Sequence, residues 1–288
     1  MNAPIGMAAI EKKGWWASHR FLLLRRLAQA SLIGLFLLGP LAGVWVLKGN
    51  LSASLLLDTI PFSDPLVWLQ TLFAGHTLEW SLGLGALVVT GMYLLVGGRV
   101  FCSWACPVNP VTDSANWLRT KLGLNRSGKL SRSLRFWMLG MTLILPLLTG
   151  MLLWELINPV SLLMRGIVYG MGVGWLLIAA IFAFDLLMIR RGWCGHLCPL
   201  GAFYTLLGRV SPLRVNASKR NECNNCMDCF AVCPEPQVIK PALKGQSTGA
   251  STVILAPECT NCGRCIDVCG ESVFEFSTRF ANKAETQS

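Results

Sequence analysis

Charged positions in this chain are gathered into short bursts between long apolar runs. Residues 27–47, between Arg26 and Lys48, carry no charge. At about 1.5 Å per residue such a run crosses about 30 Å of hydrocarbon as a helix. Residues 80–98, between Glu79 and Arg99, and 136–154, between Arg135 and Glu155, each give 19 uncharged residues. A fourth run, Gly166 to Ile189, contains one charge, Asp185, and stops at Arg190 and Arg191. The pattern predicts a membrane α-helical protein with four transmembrane helices, followed by a C-terminal segment in which apolar runs cease.

Composition agrees: 53% hydrophobic and 14% charged residues, with a mean hydropathy of +0.52, are too apolar for a soluble chain of 288 residues. Eleven tryptophans suit the bilayer interface. The formal charge of +10 raises nucleic-acid binding as a class, but no reader motif accompanies it. Its distribution gives another account. Segments 1–30, 97–135 and 190–222 together hold 18 Lys and Arg, whereas the two other connections hold only Lys48 and Arg165. Cationic loops stay cytoplasmic, so both termini are expected there, in a multi-pass protein of the bacterial inner membrane. The first apolar run follows Arg25 and Arg26, is of full length and lacks a small-residue cleavage site, so it reads as a retained helix rather than a signal peptide.

The chain repeats itself once. Asp64-Pro65 and Asn158-Pro159 each place a capping side chain before a proline suited to a first helical turn. Cys102-Ser103-Trp104-Ala105-Cys106-Pro107 then follows the second apolar run, and Cys194-Gly195-His196-Leu197-Cys198-Pro199 follows the fourth. Proline to first cysteine is 37 residues in one half and 35 in the other. The expectation is a duplicated two-helix unit ending in a cytoplasmic CxxxCP turn.

Beyond Leu213 the chain is cysteine-dense. Cys223, Cys226, Cys229 and Cys233, followed by Pro234, match the CxxCxxCxxxCP run of two-cluster ferredoxins. Cys259, Cys262, Cys265 and Cys269 repeat it, with Gly270 where a second proline is usual. Three thiolates two residues apart wrap one cubane, and the fourth ligates the neighbouring one. The expected ligand sets are therefore Cys223, Cys226, Cys229 and Cys269 for one 4Fe-4S cluster, and Cys259, Cys262, Cys265 and Cys233 for the other. Structural zinc favours two pairs of cysteines rather than two fourfold runs, and disulfides are disfavoured in a reducing cytoplasm. The domain expectation is a cytoplasmic N-terminal segment at 1–26, a membrane domain at 27–213 with turns at 102–107 and 194–199, and a two-cluster ferredoxin domain at 214–288. The 25 residues between Cys233 and Cys259 are expected to form a surface loop.

The CxxxCP cysteines, Cys102, Cys106, Cys194 and Cys198, admit two readings, a redox dithiol or an additional metal site, beside plain burial as small apolar residues. An ionisable group inside a span is expensive, which makes Asp185 a candidate for quinone or proton chemistry; pairing with Arg190 is the alternative. His76, Glu79 and Glu155 sit at the outer ends of spans, where a quinol losing two electrons must also shed two protons. The same residues are equally read as interfacial end-caps.

Glu11-Lys12-Lys13-Gly14-Trp15-Trp16, the four apolar runs, Phe101-Cys102-Ser103-Trp104-Ala105-Cys106-Pro107, Gly192-Trp193-Cys194-Gly195-His196-Leu197-Cys198-Pro199 and Cys226-Met227-Asp228-Cys229-Phe230-Ala231-Val232-Cys233-Pro234-Glu235-Pro236 together resemble the NapH family of ferredoxin-type membrane subunits. Paired CxxxCP turns also occur in the related NosR and CcoG groups, whose large extra-membrane domains this chain lacks. The resemblance implies a quinol dehydrogenase component that oxidises ubiquinol or menaquinol and passes electrons towards periplasmic nitrate reductase. The partners it implies are a NapG-like periplasmic iron-sulfur protein, a NapC-like multihaem cytochrome and, indirectly, the NapA-NapB pair. The chain itself has no CxxCH haem motif. The likeness to CcoG supplies the competing class, a maturation factor that reduces or loads a metal cofactor in a partner enzyme. Clusters on the cytoplasmic side and an acceptor on the periplasmic side leave about 30 Å of hydrocarbon to be bridged by a further carrier.

Overall fold

The computed structural model describes residues 5–76, 79–124, 127–170, 172 and 174–281. Residues 171 and 173 of the expected fourth span lie outside the described residues, as do the ends of the expected terminal segments, 1–4 and 282–288.

In chain order, α1 (Met7–Lys13) leads into α2 (Trp15–Ala42), a 28-residue helix. Three short strands follow, β1 (Leu47–Gly49), β2 (Ala53–Leu56) and β3 (Ile60–Ser63), paired antiparallel in sequence order with Lys48 opposite Leu55 and Ser54 opposite Phe62. The Asn50 side chain closes the first turn by accepting the Ser52 and Ala53 amides at 2.8 and 3.0 Å. Next come α3 (Pro65–Phe73), α4 (Trp80–Val96), α5 (Val100–Trp104), α6 (Val108–Lys121), α7 (Leu134–Thr149), α8 (Leu153–Ile157), α9 (Pro159–Tyr169) and α10 (Gly174–Ala183). The last of these runs on as a π-helical turn, Phe184–Met188, and a second π turn spans Trp193–Leu197. The chain ends with α11 (Pro199–Leu207), β4 (Leu213–Asn216), α12 (Asp228–Val232), α13 (Ile239–Lys244), α14 (Arg264–Val268) and β5 (Glu275–Thr278).

Helix ends depart from the expected spans. The first helix starts at Trp15 and stops at Ala42, so residues 43–47 of the expected span 27–47 are not helical and Leu47 opens a strand. Expected span 80–98 ends at Val96, because Gly97 takes φ 130. Expected span 136–154 is cut at Thr149 by Gly150 at φ 68, a left-handed cap, and a separate helix α8 holds Leu153 and Trp154. Expected span 166–189 is divided between the end of α9 and the stretch Gly174–Met188. Among the described residues one helix, Trp15–Ala42, is long and apolar enough to cross a membrane; Trp80–Val96, Leu134–Thr149, Pro159–Tyr169 and Gly174–Met188 are shorter apolar helices.

The chain divides into two compact units, residues 1–28, 93–105 and 204–288, and residues 29–92 and 106–203. In the first, β4 and β5 pair antiparallel, with Val215 opposite Phe276. Val215, Ile239, Ile254 and Phe274 form its core, against which six of the eight ferredoxin-motif cysteines pack or belong. The stretch between Cys233 and Cys259, expected as a surface loop, instead contributes Val238, then Ile239, Ala242 and Leu243 on α13, and Ile254 to that core. The Asp267 carboxylate fastens α2 by accepting the Phe21 and Leu22 amides at 3.1 and 2.9 Å. Gly270 replaces the usual proline where a Cβ would stand 3.2 Å from the Ala8 carbonyl oxygen. Tyr93, Phe101 and Tyr204 stack into an aromatic cluster.

In the second unit α3 packs on α7, and α10 packs on α6 and α9. Phe36, Leu47 and Met164 form a small core there. The π turn leaves carbonyls without helical partners, and Arg119 Nη1 donates to those of Leu186 and Asp185 at 2.7 and 3.3 Å. Large apolar side chains face outward on α4, α7 and α10, among them Leu87, Leu147, Leu148 and Leu176, each more than 60% exposed.

Candidate functional site

Each four-cysteine run coils because two of its residues take left-handed backbone angles. In the first run these are Asn225 (φ 60) and Met227 (φ 67); in the second, Asn261 (φ 45) and Gly263 (φ 71). They flank the second cysteine of each run, at equivalent positions. Asn and Gly adopt this conformation readily, whereas Met227 is held there against its preference. Alternating hands turn successive amides towards one centre, a concavity suited to an anionic group. The fourth cysteine leaves the run on a short helix, Cys233 after α12 and Cys269 after α14.

Two cavities result. One is lined by Cys223, Cys226, Cys229 and Cys269 with Met227 and Phe274; the other by Cys233, Cys259, Cys262 and Cys265 with Arg264 and Ile254. The structure thus brings together three cysteines of one run and the last of the other, twice. None of the twelve cysteines, all among the described residues, forms a disulfide. As bare thiols Cys229, Cys259 and Cys265 resist ionisation: burial raises all three, and with the neighbouring sulfurs of Cys269, Cys226 and Cys223 it pushes Cys229 up to about 12. Burial likewise raises Cys259 to about 11, against the Asn261 amide and the charges of Arg214 and Arg99. Cys262 moves the other way, burial being outweighed by Arg264, Arg25 and the Thr260 hydroxyl. Four converging sulfurs that a positive centre can hold as thiolates are the donor set an iron-sulfur cluster requires.

The CxxxCP motifs do not share one geometry. Cys102 lies in α5 with Cys106 just beyond it, whereas Cys194 lies in a π turn that ends at Cys198. Cys102 belongs to the first unit and the other three to the second. Cys194 Sγ is 3.9 Å from the Thr112 hydroxyl, and Cys198 Sγ accepts the Gly201 amide at 3.4 Å. Among the described residues no group of three His, Cys, Asp or Glu side chains is placed to hold a single metal ion.

The proton candidates separate. His76 is exposed, with Nε2 3.1 Å from the Gly150 carbonyl oxygen, and Glu79 is exposed. Asp185 is fully buried and accepts the Trp193 amide at 2.9 Å. Arg191, whose salt bridge at 2.9 Å is with Asp113, supplies nearby positive charge, as does Arg119, so the expected partner Arg190 is replaced by these two. Glu155 is the centre of a polar nest: it accepts from Ser52 Oγ at 2.8 Å and Asn158 Nδ2 at 3.0 Å, with Arg165 3.9 Å away. Ser161 joins Ser52 at 2.7 Å. Asp64, read from sequence only as a helix cap, does cap α3 through the Leu66 amide at 2.8 Å. It is buried as well, and burial with the charge of Glu155 raises its carboxyl to about 7 against the Leu66 and Val67 amides. The sequence signal was the Asp-Pro and Asn-Pro pair, which marks both caps of the nest.

Fold and cavities define a ferredoxin-type iron-sulfur electron-transfer protein. Residues 216–270 match a 4Fe-4S dicluster domain, and residues 78–125 and 171–219 each match the same 4Fe-4S binding domain model, one for each CxxxCP half of the repeat. The chain is 51% identical to the ferredoxin-type protein NapH of Escherichia coli (strain K12), over 98% of this chain and 97% of that one. It is 52% identical to the methylamine utilization ferredoxin-type protein MauN of Methylorubrum extorquens, over 95% and 93%. The regulatory protein NosR of Stutzerimonas stutzeri is 30% identical over 54% of this chain and 22% of its own. The chain belongs to the NapH family of ferredoxin-type proteins, to which MauN is close. No solved structure matches it.

Proposed function

We propose that this chain is a membrane quinol dehydrogenase component. It takes electrons from ubiquinol or menaquinol and, with a NapG-like iron-sulfur partner and a NapC-like cytochrome, delivers them towards the NapA-NapB nitrate reductase. The observation that carries the electron-transfer part is the pair of four-cysteine cavities. Cys223, Cys226, Cys229 and Cys269 are the ligands of one 4Fe-4S cluster, and Cys233, Cys259, Cys262 and Cys265 those of the other. Each cluster, when bound, supplies a one-electron carrier.

The membrane part of the reading is supported by the span-length helix Trp15–Ala42, by the shorter apolar helices Trp80–Val96, Leu134–Thr149 and Gly174–Met188 that overlap the other runs, by the outward leucines of α4, α7 and α10, and by the 18 to 2 bias of Lys and Arg, which favours cytoplasmic termini. Helices of 17 and 16 residues are near the lower limit for a span. Of the proton candidates Glu155 is favoured, since it alone sits in a hydrogen-bonded nest beside a second carboxyl, Asp64, able to share the proton. Equal likeness to MauN makes methylamine utilization the competing pathway.

Anaerobically purified protein, reconstituted with iron and sulfide, tests the reading. Quinol in the presence of the NapG-like partner is expected to bleach the cluster absorbance. Clusters that stay oxidised under those conditions would refute quinol oxidation and leave the maturation-factor reading. Loss of nitrate-dependent but not methylamine-dependent growth on deletion assigns the pathway, and the reverse pattern overturns the nitrate assignment.

A further inference from the structure

The two cavities differ in charge. Around the Cys233, Cys259, Cys262 and Cys265 cavity stand four arginines, Arg25, Arg99, Arg214 and Arg264, exposed by only 1, 2, 1 and 7%. Arg264 lies between two of the cysteines and lines the cavity. Arg99 Nη1 donates to the carbonyl of Glu258, next to Cys259, at 3.2 Å, and Arg214 Nη1 to that of Ala256 at 3.4 Å. Arg25 Nε donates to the Phe21 carbonyl at 3.2 Å, and the Phe21 ring packs against Gly263 between Cys262 and Cys265. Three carboxylates offset this set in part: Glu235 pairs with Arg99 at 2.8 Å, Asp267 faces Arg25, and Glu258 faces Arg214. The Cys223, Cys226, Cys229 and Cys269 cavity has no arginine in its lining; it has Asn224, Asn225 and the carboxylate of Glu271, and Cys226 is exposed.

On the assignment of clusters made above, we propose that the cluster in the Cys233/Cys259/Cys262/Cys265 cavity has the higher reduction potential of the two, and that Arg25, Arg99, Arg214 and Arg264 are the positioning residues that set it. Reduction adds one negative charge to the site, and a cation within a few ångströms, in protein with little water to screen it, favours the reduced form. Two lysines do stand at the Cys226 side, Lys12 on Glu271 at 2.6 Å and Lys244 on Asn225, but both are exposed, where water screens their charge. Electrons entering one at a time from a two-electron donor therefore settle first in the arginine-lined cavity.

A redox titration of the full chain in detergent, followed by electron paramagnetic resonance, reads this directly. Two waves are expected, and Cys226→Ser removes the lower one. Arg264→Gln is expected to lower the upper midpoint by at least a tenfold change in the reduced-to-oxidised ratio, about 59 mV for a one-electron couple. Arg264→Lys restores it. If Arg264→Gln fails to load iron, Arg214→Gln serves as the second case and is expected to lower the upper midpoint in the same direction, an unchanged midpoint counting against the inference. Superimposed waves, a shift in the lower wave instead, or equal shifts in the Gln and Lys variants would overturn the inference while leaving two clusters in place. Fewer than about eight irons per chain in the unmodified protein would instead refute the two-cluster assignment on which it rests.

Discussion

Asp64 offers a test in which sign and size both follow from the structure. Its carboxyl is buried 7% exposed beneath α3, beside Glu155, and burial with that neighbour raises it from 3.8 to about 7. Between about pH 4 and 7 the folded protein holds a proton there that the unfolded chain has released. The stabilisation is complete below the unfolded value, declines as pH rises through that window, and is gone above the folded value. Each pH unit inside the window costs about 1.4 kcal/mol, so the decline reaches a ceiling of about 4 kcal/mol. Asparagine caps helices as well as aspartate does, and Asn158 already does so at the equivalent position, accepting the Val160 amide at 3.1 Å. Asp64→Asn is therefore expected to match the unmodified protein near pH 4.5 and to exceed it by about 3 kcal/mol at pH 8. Thermal melts of the detergent-solubilised protein across this range measure the difference. An identical pH slope in the two proteins would refute a buried, raised Asp64.

Arg99→Leu leaves Glu235 buried without its partner and is expected to cost about 3–5 kcal/mol; adding Glu235→Gln recovers most of it, as read from the temperature at which cluster absorbance is lost. Gly263→Ala meets both a left-handed backbone and the Phe21 ring, so about half the iron is expected to be lost, while Gly270→Ala, with its nearest contact at 3.2 Å, keeps the full content. Equal iron in the two glycine variants would contradict the local geometry. Replacing Cys102 and Cys106 together by serine is expected to leave about eight irons per chain; a drop of four would assign a further cluster to the CxxxCP turns.

The cysteine cavities were legible because ligand spacing is local: two residues between thiols fix a coil, and the helix after the third directs the fourth cysteine away. Asn225 and Asn261 even show, in residue type, where left-handed angles fall. The arginines were not legible. Residues 25, 99, 214 and 264 come from four distant segments, and only the fold brings them to one cavity. Helix ends do not follow the charges: Gly97 and Gly150, both at positive φ, stop their helices before the next charge. The β1 to β3 sheet escaped notice since its strands have only three or four residues and alternate too briefly to stand out.

The repeat shows where chemistry enters a duplicated frame. Asp64 and Asn158 occupy the same cap, with a side-chain oxygen accepting the amide two residues on in each case, so the backbone of the two halves does not need a charge at either. Only one half has a carboxylate there, and the other half supplies its neighbour, Glu155, through Asn158 and Ser161. The CxxxCP turns diverge in the same way, one α-helical and one π-helical, under two matches to a single domain model. What both copies keep accounts for the fold; what differs between them, a carboxyl for an amide and a widened turn for a tight one, is where a site that treats its two sides unequally has to be built. Asn158→Asp tests this. It replaces the donor to Glu155 with a third carboxyl, and a pH slope steeper than that of the unmodified protein is the expected result, an unchanged slope the contrary one.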